Sequence, residues 1–230
     1  ICKLQVMKVM RADLPEQERP EYSRMFEDEA RLAVRLNHPN IVQSFEVGAE
    51  AGQPYIVMEF LEGQSLHHVQ QRARSAGGRS TGAFPLELEL FVLCQVLEGL
   101  EYAHRLTDYA GNPLHIVHRD ISPHNVFITY AGHSKLLDFG LAKTLDSNTT
   151  RAGVVKGKIA YTSPEQVRSD PFDHRADLFS IGVLLWEAIA DRKINAELSA
   201  YETIERLLRG ELPNIRDAVP DIDPQLEAIL

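Results

Sequence analysis

The sequence predicts an α+β fold, with a strand-rich portion first and a larger helical portion after it. Three observations lead there. The first sixty residues alternate as strand, helix, strand, strand; past Gly63 the apolar periodicity turns helical; and 230 residues are enough for one large domain or for two lobes sharing a cleft.

The elements follow in order. Leu4–Met10 is a short, largely apolar run interrupted by Lys8 and reads as a strand. Met25–Leu36 places Met25, Phe26, Ala30, Leu32, Ala33 and Leu36 on one helical stripe, with Glu27, Asp28, Glu29 and Arg31 around it, and Pro39 ends it. Ile41–Val47 and Tyr55–Phe60 are strands joined by a turn at Ala51-Gly52. Residues 72–84, with their arginines, glycines and serine, read as a surface loop. Pro85 opens a long helix whose Leu86, Leu90, Leu93, Leu97, Leu100 and His104 recur at steps of three and four, and Cys94 inside it reads as a buried structural thiol. After the turn at Ala110-Gly111-Asn112-Pro113 come strand-like pieces at Ile116-Val117, Val126–Thr129 and Lys135–Leu137. Helices over 176–190, with Trp186 in the core, and 201–208 complete the pattern.

Composition narrows the function classes. Hydrophobic residues are 44% and charged residues 25%, so the chain is neither disordered nor fibrous. Lys plus Arg total 24 against 33 acids, a net charge of -9 that argues against a nucleic-acid partner. Cys2 and Cys94 form no disulfide framework and no zinc spacing, which points to a reducing, cytoplasmic setting. No apolar run reaches the ~18 residues of a membrane span, although an anchor outside these residues is compatible with that. The chain begins at Ile1 inside an apparent strand and stops at Leu230 inside an apolar-periodic segment, so it reads as a piece of a longer protein.

The chemistry concentrates in His118-Arg119-Asp120-Ile121-Ser122-Pro123-His124-Asn125, followed by Asp138-Phe139-Gly140. A carboxylate on a tight loop can accept a hydroxyl proton, and an amide and a second carboxylate supply hard oxygen ligands for Mg²⁺. With this spacing the chain closely resembles the catalytic domain of eukaryotic-type (Hanks-type) protein kinases, in a bacterial serine/threonine texture. The resemblance implies a partial N-lobe and hinge over 1–62, a C-lobe over 63–230 and an ATP cleft between them. It implies Lys8 as the ATP-phosphate lysine and Glu29 as its partner, Met58 as gatekeeper of a hinge that includes Glu59 and Leu61, Asp120 as base, and Asn125 and Asp138 as ligands of Mg²⁺, with Mn²⁺ as the alternative. Ser163-Pro164-Glu165 closes the activation segment, Asp177 anchors the catalytic-loop backbone, and His118 packs that loop. Arg119 suits a phosphorylated activation loop, with Ser147, Thr149 and Thr150 as phosphosites. The implied reaction is γ-phosphate transfer from ATP to serine or threonine of protein substrates, including trans-autophosphorylation in a dimer. The rival reading is a weak, pseudokinase-like interaction module.

Three departures qualify the resemblance. The family's glycine-rich loop would lie upstream of Ile1 and the arginine paired with Glu165 beyond Leu230, so residues 1–230 alone are expected to bind ATP weakly. Ser122 stands where serine/threonine kinases of this pattern carry a lysine, and His124 where tyrosine kinases carry an arginine. Lys158, in Gly157-Lys158-Ile159-Ala160-Tyr161, stands where the family has threonine. The exchange predicts that Lys158 inserts its ammonium above Asp120 from the opposite wall, in the space that Ser122 leaves.

Overall fold

The computed structural model describes residues 4–10, 17, 19–50, 52–76, 84–139 and 158–230. The small lobe is an antiparallel sheet in the order β1 (Gln5–Val9), β3 (Gln53–Glu59), β2 (Ser44–Glu50), with Lys8 opposite Ile56. Helix α1 (Arg19–Ala33) packs on it by burying Phe26 and Ala30 against Met10 and Ile56. It starts earlier than the stripe predicts, because Pro20 lies in the first turn, where its missing N–H costs nothing. It ends earlier because Arg35 and Leu36 bond back three residues, to Leu32 and Ala33, ahead of Pro39.

Strand β2 also begins later than expected. Ile41 forms a parallel bridge to Leu136, and the Val42 N–H donates to the Leu136 carbonyl at 2.9 Å, so these residues stitch the small lobe to the large one. Past the hinge, β4 (Gly63–Ser65), β5 (Val126–Thr129) and β6 (Ser134–Leu136) form a second antiparallel sheet. Helix α2 (Leu66–Ala76) extends through residues expected to be loop: Arg72 and Arg74 favour helix, and the first breaker is Gly77. Residues 77–83 lie outside the described set.

Helix α3 (Leu86–His104) starts after Pro85 as expected, but a different face is buried. Val92, Leu93, Val96, Leu100 and Ala103 face the core, whereas Leu97 and Cys94 are exposed. Ile116 and Val117 are buried at 3% and 5% exposure and pair with no strand among the described residues.

A 3₁₀ turn (Ile159–Tyr161) leads to α4 (Pro164–Arg168). Ser163 caps α4 through a reciprocal box with Gln166, which gives the serine of Ser163-Pro164-Glu165 a local purpose. Helix α5 (Arg175–Ala190) runs through the large core against α3, burying Ile181, Leu184 and Leu185 with Val96 and Leu100. Helices α6 (Ala200–Arg209), α7 (Ile215–Ala218) and α8 (Pro224–Glu227) complete the lobe, with Trp186, Ile215 and Ile222 packed together. Among the described residues no helix is long and apolar enough to cross a membrane.

Candidate active site

The site is built outward from Asp177 on α5. Its carboxylate is 1% exposed and accepts from the backbone N–H groups of His118 (2.8 Å) and Arg119 (2.9 Å), while His104 Nε2 lies 2.8 Å away. Arg119 then turns the chain through a positive φ of 69°, a sparsely populated conformation stabilised here by the surrounding bonds. The Arg119 carbonyl accepts from Gln166 Nε2, 3.3 Å away. The next residue is Asp120.

His118 braces this loop from within. Fully buried, it donates from Nε2 to the Leu137 carbonyl (2.9 Å) and accepts the Asp120 N–H at Nδ1 (3.3 Å), and its ring lies 4.6 Å from that of Phe139. Burial pushes its pKa below the ordinary imidazole value, so the ring stays neutral.

Asp120 Oδ2 accepts from Asn125 Nδ2 at 2.7 Å and from Lys158 Nζ at 3.0 Å. The Asn125 amide also donates to the Asp120 carbonyl at 2.8 Å, which leaves its oxygen as the atom a metal can take. The Asn125 carbonyl accepts from Leu137 N–H at 2.9 Å, bringing Asp138 beside the loop. Asp138 has φ 46° and its Oδ1 lies 2.8 Å from Lys8 Nζ.

Most of the expected residues therefore converge: Lys8, Asp120, Asn125, Asp138 and Lys158. The side chain of Glu29 lies outside the described residues, as do Ser147, Thr149, Thr150 and Cys2. Ser122 is 1% exposed, and its hydroxyl has no hydrogen-bond partner among the described residues, so it binds neither Asp120 nor Lys158. Met58 lines a cavity of about 20 Å³ with Ala33, Leu36, Ile56 and Phe139, room for about one water and not for a nucleotide base. The Glu59 carboxylate accepts from Lys135 Nζ (2.6 Å) and Gln43 N–H (2.8 Å), so it is the main chain of the hinge at Glu59 and Leu61 that can meet a ligand.

Sequence reasoning overlooked Lys135, His104 and the network around Tyr161, whose hydroxyl donates to Glu187 Oε2 at 2.8 Å beside Lys193. His104 had a signal, an imidazole closing an otherwise apolar stripe. The other pairings join distant segments and leave no local pattern.

The donor set suits an oxygen-loving divalent cation that keeps part of its shell for other ligands. Asn125 and the half-exposed Asp138 supply two oxygens, and no cluster of three or more His, Cys, Asp or Glu forms a cage among the described residues. A clamped carboxylate, two further oxygen donors and a lysine at one cleft form an arrangement that can bind and transfer a phosphoryl group.

Comparison with known proteins agrees with this chemistry. The protein kinase domain model matches residues 2–225. The tyrosine-protein kinase MasK of Myxococcus xanthus is 45% identical over 212 residues, covering 92% of this chain and 32% of the relative. The probable serine/threonine-protein kinase SCO3848 of Streptomyces coelicolor is 35% identical, and the serine/threonine-protein kinase PrkC of Bacillus subtilis is 32% identical; each match covers 97% of this chain and 32% of the relative. The chain thus spans about a third of the length of these relatives. With the two lobes, the loop geometry and a family match over nearly every residue in agreement, the chain belongs to the protein kinase family.

Proposed function

We propose that this domain transfers the γ-phosphoryl group of ATP to serine or threonine hydroxyls of proteins, its own activation segment included, on the cytoplasmic side of the cell. The observation that carries the reading is the Asp120 carboxylate, clamped by Asn125 and Lys158 beside the Lys8–Asp138 pair. An acceptor hydroxyl hydrogen-bonded to Asp120 attacks the γ-phosphorus in line. The new O–P bond forms as the bond to the β-phosphate oxygen breaks, ADP leaves with that electron pair, and the hydroxyl proton passes to Asp120 and on to water. Lys8 steadies the α- and β-phosphates, with Glu29 as its partner. Mg²⁺, or Mn²⁺ in its place, held by Asn125 and Asp138, would neutralise phosphate charge. Arg119, whose buried Nε has no hydrogen-bond partner among the described residues, suits pairing with the phosphorylated activation segment, its phosphate placed in trans by a second copy.

Tyrosine is the second reading of the acceptor. It is favoured by the 45% identical relative named a tyrosine-protein kinase and by serine, not lysine, at position 122. The test is labelling of the full-length protein with γ-labelled ATP and Mg²⁺, beside Asp120→Asn, followed by phosphoamino-acid analysis. Label on serine and threonine that falls at least ~10²-fold in Asp120→Asn is expected. Label on tyrosine alone would replace the acceptor class. ATP binding with no label at all would leave an interaction module.

A further inference from the structure

One helix sets both halves of the Lys158–Asp120 contact. On α5, Asp177 grips the backbone ahead of Asp120, as described. Further along α5, the Ser180 hydroxyl donates to the Tyr161 carbonyl at 2.6 Å, and Glu187 Oε2 accepts from the Tyr161 hydroxyl at 2.8 Å. Asp177, Ser180, Glu187 and Tyr161 are all at most 5% exposed, so this frame is closed to water. The 3₁₀ turn that begins after Lys158 is thereby clamped to the helix that positions the catalytic loop. The result is an ammonium 3.0 Å from Asp120 Oδ2, although the two residues stand 38 positions apart.

An ordinary stabilising ion pair explains this poorly. The Lys158 side chain is 34% exposed, and the largely buried Asp120 (13%) already has Asn125 at 2.7 Å on the same oxygen, so this carboxylate keeps a donor without the lysine. The stretch of the catalytic loop after Asp120, in contrast, carries no fixed positive charge. Between Asp120 and Asn125 it offers Ile121, buried Ser122, Pro123 and His124. The His124 ring stacks on His67 at 4.0 Å; partial burial, then the nearby charges of His67, Lys158, Lys193 and His68, all hold it below the ordinary imidazole pKa. A γ-phosphoryl group reacting with a hydroxyl on Asp120 must come within roughly 3–3.5 Å of that hydroxyl. A flexible lysine touching the same carboxylate is then one contact from the oxygens on which charge is spread in the transition state.

We infer that Lys158 is a catalytic residue, whose ammonium bridges Asp120 and the transferring γ-phosphoryl group and reaches the cleft from the 3₁₀ turn instead of from the catalytic loop. The inference rests on the phosphoryl-transfer reading above.

The test measures steady-state ATP turnover by the full-length protein with Mg²⁺, for wild type, Asp120→Asn, Lys158→Met and Lys158→Arg. Nucleotide affinity and thermal unfolding are measured on the same samples. Lys158→Met is expected to lower kcat by ~10²-fold or more, with the KM for ATP within about threefold of wild type and an unchanged unfolding midpoint. Lys158→Arg, which keeps the charge, should retain at least about a tenth of wild-type kcat. Wild-type kcat in Lys158→Met, with Asp120→Asn inactive, overturns the catalytic role and leaves the phosphoryl-transfer reading standing. A loss in Lys158→Met that is matched by lost nucleotide affinity or a lowered unfolding midpoint also overturns it, in favour of a structural lysine. A wild type that binds ATP without turning it over removes the reading itself, and the inference falls with it.

Discussion

His118 shows how one side chain can couple the active-site loop to pH without touching a substrate. Both nitrogens are engaged, Nε2 by the Leu137 carbonyl and Nδ1 by the Asp120 N–H, and the ring is fully buried against Phe139. Burial outweighs the nearby carboxylates of Asp177, Asp120 and Asp138 and lowers its pKa. The unfolded chain titrates this group near the ordinary value of 6.5. Its contribution to stability is therefore complete above that pH and is lost as the pH falls below it, toward the folded value, with a slope of at most about 1.4 kcal/mol per pH unit. The half-exposed His67 is shifted in the same direction by burial, so it adds to the trend more weakly. Unfolding midpoints measured from pH 7.5 down to 5.5 should decline for wild type and decline less steeply for His118→Phe. Parallel curves would assign the acid sensitivity to other groups.

At the scale of elements, α2 and α3 meet through a polar contact inside an apolar interface. Gln70 Nε2 donates to Glu89 Oε1 at 2.8 Å, Glu89 is 6% exposed, and Gln70 Oε1 is buried with no partner among the described residues. Burial raises the Glu89 pKa in spite of that hydrogen bond. A raised carboxyl gives its full stability below the unfolded value of 4.5 and loses it as the pH climbs through the folded value, so Glu89 is a liability at pH 7. Glu89→Gln should stabilise the domain at pH 7 by about 1 kcal/mol, because the new amide can also donate to Gln70 Oε1. The gain should shrink toward pH 4, and denaturant titrations at the two pH values would show it. The α2–α3 pair also marks where the sequence is legible and where it is not. Pro85 and the Gly52 turn announce element ends through backbone chemistry that no packing can override, and β5, β6 and α5 fall within a residue or two of their expected bounds. The buried face of α3 could not be read so directly. Leu88, Phe91 and Leu97 are exposed while Val92 and Val96 are buried, in a helix so apolar that leucine spacing alone does not choose a side; contact with α5 and β6 chooses it. Lys158 was legible for the opposite reason. Its departure and that of Ser122 are each visible in one short motif, and together they name a contact.

At the scale of the whole molecule, an acidic chain of net charge -9 gathers lysines where a polyanionic nucleotide would lie, with Lys8 and Lys158 each held against a carboxylate of the cleft. The cleft works only if its two walls keep their relative position. A third lysine bears on that: Lys135, on β6 of the large lobe, reaches across to Glu59 at the hinge end of β3. The pair is 2.6 Å long and only 15% and 20% exposed, and the same Glu59 oxygen accepts from the Gln43 N–H at 2.8 Å. Lys135 also approaches the Ile41 carbonyl at 3.4 Å, beside the bridge from Ile41 to Leu136 that already joins the lobes. Its charge therefore ties hinge, small lobe and large lobe at one point. Lys135→Met would leave a largely buried carboxylate with one neutral donor, a loss of roughly 3 kcal/mol or less at this exposure. The hinge main chain at Glu59 and Leu61 would then be less well placed, raising the KM for ATP about three- to tenfold with a smaller effect on kcat. Adding Glu59→Gln removes the stranded charge, so the double variant should regain most of the stability without regaining the affinity, since the strut is still missing. Nucleotide binding and unfolding measured on the single and double variants separate the two effects. Wild-type ATP affinity in Lys135→Met would mean that the backbone bridge between Ile41 and Leu136 aligns the lobes unaided.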